Sequence, residues 1–168
     1  MSVNAGMRNV PDTPSNRQCN AVESALALCL HTIKICSNRN IFTVEYIDIV
    51  SMAVNVSMEI YLNSNTANNI RVTDSKSCKD RLEMEYNALT LCKTLIGIIN
   101  ICQRLFHLRM KKKEYWVRLA YNARDLINKW YESDKKRYSE FMLFKRLDTY
   151  YKELWRVYES NQTGKGYP

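Results

Sequence analysis

Apolar positions recur along this chain with helical spacing. Met84, Ala88, Leu91, Leu95, Ile98, Cys102 and Leu105 alternate at steps of four and three. Trp116, Leu119, Ala123, Leu126 and Trp130 do the same beyond a short basic turn. Such steps line one stripe of an α-helix, as packing against neighbouring helices requires. Leu89, Cys92, Ile96, Ile99 and Phe106 add a second apolar row. A helix over 78–108, buried on two sides, is therefore expected at the centre of a bundle.

Four other segments complete the picture. Val22, Leu26, Cys29, Ile33 and Cys36 mark a first helix over 19–36, stopped by Ser37-Asn38-Arg39-Asn40. Tyr46, Val50, Ala53, Ser57 and Ile60 mark a second, capped by Thr43 and running to Leu62. Its many β-branched residues leave a two-stranded reading of Ile41 to Ile60 as the alternative. Asn63 to Ser77 is polar and reads as a loop. The fourth helix, after Arg109-Met110-Lys111-Lys112-Lys113, is expected to end near Ser133. Leu143, Leu147, Tyr150, Leu154 and Val157 then predict a separate helix over 139–160. Residues 1–18 read as a flexible arm and 161–168 as a disordered tail. Gly97, inside the central helix, costs about 1 kcal/mol relative to alanine, so it is expected to mark the close approach of a neighbour.

At 168 residues and 46% apolar, the chain can bury one sizeable core. Its four glycines and three prolines leave few breakers in the body, which favours long helices. Six cysteines without a C-x-x-C pair, and no secretion signal, suit a reduced, cytoplasmic protein. The longest apolar run, Leu95 to Cys102, is too short to span a bilayer.

Charge changes the picture, because it is uneven. Met1 to Gln103 holds 9 basic and 9 acidic residues, whereas Arg104 to Pro168 holds 16 and 8, giving the net +8. A basic half suits a polyanion. Catalytic chemistry is poorly represented. His31 and His107 have no partners at metal-ligand spacing, and the glycines form no phosphate loop. Glu83 and Glu85 point to different sides of a helix. No catalytic constellation, cofactor site or metal site is expected.

The cations are better organised. At about 100° per residue, Lys111, Arg118, Lys129 and Lys136 fall within about 20° of one another, roughly 110° from the tryptophan stripe. Lys112, Lys113, Lys135, Arg137, Lys145 and Arg146 widen this ridge, and Asp125 and Glu132 interrupt it. A row of cations at such spacing can follow phosphates. Tyr115, Tyr121, Tyr131 and Tyr138 interleave with it and can stack on unpaired bases or pack at the rim of the core. Lys34, Arg39, Lys76 and Lys79, in the charge-balanced half, are expected to contribute far less.

Several of these segments together resemble one family. The run Leu30 to Phe42, Arg104 to Leu108, Tyr115-Trp116, Lys129-Trp130 and Ser133 to Tyr138 are similar to the accessory variability determinant (Avd) proteins of diversity-generating retroelements. The likeness covers Leu30 to Tyr138. With the helix count it implies an all-α fold, an antiparallel up-down four-helix bundle over 19–138, here with an additional C-terminal helix. It further implies a homopentamer that binds a reverse transcriptase and its template RNA, supports mutagenic cDNA synthesis and does no chemistry itself. The family's basic surface falls on Lys111–Lys113, Arg118, Lys129 and Lys135–Arg137. The arm and the last helix exceed the family's minimal bundle. A helical protein–protein adaptor, or a stand-alone RNA-binding bundle, is the alternative.

Overall fold

In a computed structural model the chain is all-α. It describes residues 14–38 and 46–163, and no strand is present among them. The helices are α1 (Pro14–Cys36), α2 (Ile47–Asn69), α3 (Ser75–Leu105) and α4 (Met110–Thr163). Two compact units divide the chain, Met1–Tyr131 and Glu132–Pro168, and each is taken by itself.

Several boundaries differ from those expected, each for a local reason. Pro14 opens α1 some five residues early, at the first helical position, where its missing N–H costs nothing. The polar run after Leu62 remains helical to Asn69. Ser64 and Ala67 prolong the buried row of α2, and Ser64 Oγ and Asn63 Nδ2 donate back to the carbonyls of Ile60 and Glu59. The loop before α3 shrinks to 70–74. Asp74 then caps α3: its carboxylate accepts from Ser77 N–H at 2.8 Å, while Ser77 Oγ accepts from Asp74 N–H. That reciprocal pair fixes the start of α3 at Ser75. The expected cap Thr43 and stop residues Arg39 and Asn40 lie outside the described residues.

The largest departure is in the last third. No break follows Ser133, and α4 continues through the expected fourth and fifth helices to Thr163. Asp134 to Tyr138 contains no breaker. Within the second unit, Arg137 pairs with Asp134 and Tyr138 Oη donates to Asp134 one helical turn apart, which favours continuation.

In the first unit, one hydrophobic cluster draws on all four helices. From α3 it takes Ala88, Leu89, Cys92, Leu95, Ile98, Ile99 and Cys102, the two-row burial expected of a central helix, while Leu105 is exposed. On α1 the buried row is turned by one residue. It runs through Ala21, Ala25, Leu28, Thr32 and Ile35, leaving Ile33 exposed. The reason is Thr32. Its hydroxyl donates to Leu28 O and accepts from Trp116 Nε1 at 2.9 Å, so a polar residue sits wholly buried and fully bonded. Trp116 and Trp130 of α4 are the largest wholly buried side chains. Gly97 marks no close approach, since a Cβ there meets nothing within 4 Å. By length and composition α3 is apolar enough to cross a membrane; a central core helix needs the same composition.

Buried charge ties the elements together. Glu85 is wholly buried and receives Arg81 Nε at 3.2 Å. Arg81 Nη1 also donates to Ile70 O, and its guanidinium lies 5.3 Å from the Trp130 ring centroid. The two acids that were expected to lack a joint role thus separate, Glu85 into this core pair and Glu83 to solvent.

Two stability outcomes follow. Gly97→Ala should stabilise the protein by up to about 1 kcal/mol in chemical denaturation, because the position is open and helical. Loss of stability would show a neighbour that the isolated chain lacks. Glu85→Ala should cost about 3–5 kcal/mol by stranding Arg81, whereas Arg81→Met with Glu85→Leu should recover most of it.

Candidate nucleic-acid interface

The basic turn is set by the junction of α3 and α4. Phe106 N–H donates to Cys102 O at 3.0 Å, closing α3, and His107 then takes a positive φ of 48°. That left-handed residue after a helix end reverses the chain, a place where glycine or asparagine is commoner. Leu108 is buried and anchors the turn. α4 then starts with Met110 and three lysines, with no acid in its first turn. Like charges at the positive end of a helix dipole oppose it by a few tenths of a kcal/mol each, an arrangement that an anion would offset.

The three lysines do not form one row, because successive residues on a helix point about 100° apart. Lys111 and Lys112 face α1, where they join Lys34 and Asn38 around a groove of about 360 Å³. Ile35, His31 and Tyr115 supply its apolar and aromatic lining, and none of its lining residues is acidic. Lys113 instead turns toward α3, beside Arg104, Asn100 and Gln103. Lys34, expected to stand apart from the ridge, thus shares this groove with Lys111 and Lys112. Sequence position hid this, since 77 residues separate Lys34 from Lys111. No local signal in the sequence could have found it, because it depends on which helix ends meet.

Farther along α4 in the first unit, Arg118 and Lys129 are exposed as expected. The Arg118 guanidinium lies 5.2 Å from the Tyr115 centroid, so the cation and the ring hold each other in place. Asp125, which interrupts the ridge, is engaged by Arg124 at 2.7 Å. Arg124 also covers Tyr121 at 4.5 Å. In the second unit Lys135, Lys136, Arg137 and Arg146 are exposed, but Arg137 is paired with the buried Asp134. The side chain of Lys145 lies outside the described residues. The four tyrosines divide. Tyr115 and Tyr121 are exposed, Tyr131 packs beside Tyr86, and Tyr138 is buried with its hydroxyl on Asp134.

One histidine at the groove and several thiols in the core are shifted by burial. Burial, and secondarily Lys34, pushes the His31 imidazole below its usual range, so it stands neutral against the Tyr115 ring, 4.8 Å away edge to face. Burial holds the thiols of Cys36 and Cys92 up at about 12 and that of Cys102 at about 11, far from the thiolate form a nucleophile needs. No group of three or more His, Cys, Asp or Glu able to hold a metal occurs among the described residues.

The His31 shift has a definite sign. A histidine whose folded pKa is lowered gives stability that is complete above its unfolded value of about 6.5 and lost as pH falls toward the folded value. Between pH 7 and pH 5, the melting temperature of the natural protein should therefore fall further than that of His31→Phe. Equal falls would mean that His31 takes up its proton without resistance. Among known proteins, no family model, curated protein or solved structure matches the chain.

Proposed function

We propose that this protein is a non-catalytic, RNA-binding accessory subunit of a diversity-generating retroelement. In that role it binds the reverse transcriptase and the template RNA and supports mutagenic cDNA synthesis. The observation that carries the RNA-binding part is the meeting of Lys34 with Lys111 and Lys112 around a groove without acids, with Arg118 beside it. Lysines contributed by two helices to one concave surface suit phosphates better than a solvated helix face requires. The retroelement assignment rests on the resemblance of Leu30–Tyr138 to the Avd family.

The finer architecture belongs to the same reading. Ser24 meets Asn122 and Thr32 meets Trp116, so residue numbers rise on α1 as they fall on α4. Short turns join α2 to α3 and α3 to α4. These relations support an antiparallel up-down four-helix bundle in the first unit. Exposed Leu30, Met52, Leu62 and Ile101 offer apolar surface for self-association, in keeping with a homopentamer. A cytoplasmic setting accompanies an RNA-templated role.

The test is charge reversal on α4. Lys111→Glu, Arg118→Glu and Lys129→Glu together should abolish binding to structured template RNA at physiological salt while helical circular dichroism is retained. Each lost phosphate contact should lower the slope of log affinity against log salt by about 0.7 to 0.9. Reversal of the exposed Lys76 and Lys79 should have a much smaller effect. Equal weakening by both sets would mean diffuse attraction. Absence of RNA binding by the natural protein would leave the protein-only adaptor as the better account.

A further inference from the structure

The groove between the end of α1 and the start of α4 is more than a patch of charge. Its volume of about 360 Å³ lies at the small end of the range of ligand pockets, about 300–1,000 Å³. Its cations sit at the mouth, with Lys34, Lys111 and Lys112 all exposed. Its floor is apolar: Ile35 is buried, and neutral His31 meets the half-exposed Tyr115 ring edge to face. Asn38 adds an amide to the lining. Charge outside and aromatic surface inside match a ligand with an anionic group joined to a flat heterocycle. A phosphate alone would leave the aromatic wall unused, and an apolar side chain would leave three lysines facing it.

Resting on the RNA-binding reading above, we infer that this groove seats one unpaired nucleotide of single-stranded RNA. The base lies against Tyr115 and Ile35, and its phosphate lies among Lys34, Lys111 and Lys112. A paired base has its edge and faces occupied within the duplex, so only an unstacked one can enter. Arg118 braces Tyr115 from the ridge, which continues the phosphate path away from the groove along α4. RNA is thus held at one fixed nucleotide, and the remaining cations follow the strand from there.

Fluorescence anisotropy with labelled single-stranded RNA of about ten nucleotides tests this, the length being typical of single-strand sites. The proteins compared are the full chain, Lys34→Glu, Tyr115→Ala and, as control, Lys76→Glu. Loss of one stacked base should weaken binding by Tyr115→Ala about 5- to 150-fold while the salt slope stays the same. Lys34→Glu should instead lower the slope by about 0.7, one single-strand phosphate contact. Lys76→Glu should bind as the natural protein does, and a blunt duplex of equal length should bind more weakly. Both pocket residues are solvent-accessible, and unchanged melting curves will show that the variants fold. Binding that neither pocket variant alters overturns the nucleotide seat but leaves RNA binding by α4 in place. A duplex held as tightly as the single strand overturns the unpaired-base assignment. No binding of any RNA by the natural protein overturns both readings together.

Discussion

The buried Arg81–Glu85 pair is the constraint on which the rest of the first unit turns. A wholly buried carboxylate is costly unless its charge is met, and Arg81 meets it from the same face of α3. The guanidinium must then sit between the carbonyl that ends α2 and the ring of Trp130 on α4. Three elements are thereby placed by one side chain. Hydrophobic burial alone tolerates sliding of one helix past another, because one apolar stripe resembles the next a turn away. A directional, desolvated charge does not, and it fixes the axial position of α4 relative to α3.

At the other end of the unit, Thr32 and Trp116 do a related task with neutral groups. The indole N–H has one donor to satisfy, and the threonine hydroxyl both accepts it and passes its own hydrogen to Leu28 O. Asn122 and Ser24 add a second link between the same two helices nearer the surface. These bonds hold the end of α1 against the start of α4, and the cation groove exists because that register is held.

How much of this was legible in the sequence depended on whether the signal was local. The core rows of α3 were readable because Leu, Ile and Cys repeat there without interruption, and Leu95 and Ile98 are buried as expected. The row on α1 was misplaced by one residue because alanine and threonine carry little hydrophobic signal, although Ala21, Ala25 and Thr32 are wholly buried. The polar look of Asn63 to Asn69 suggested a loop, but small polar side chains can bond their own helix and remain in it. The same composition-based reasoning placed a break after Ser133 where no breaker residue exists. Exposure of Lys111, Arg118 and Lys129 was readable from their angle on the helix. The partnership of Lys34 with Lys111 and Lys112 was not, since it depends on which helix ends meet. Nor was the diversion of Arg137 to Asp134, which required a buried carboxylate on a charged stretch.

The adjacency of His31 to Thr32 and of Tyr115 to Trp116 has a consequence for recognition. The two rings that line the groove are each the chain neighbour of a residue locked in the core by the same hydrogen bond. Their backbones are therefore fixed before any ligand arrives, and little ordering entropy is left to lose on binding. The linkage also runs outward. Weakening the indole–hydroxyl bond, deep in the core, would loosen the groove from within, so a change that touches none of its lining residues would still alter its shape.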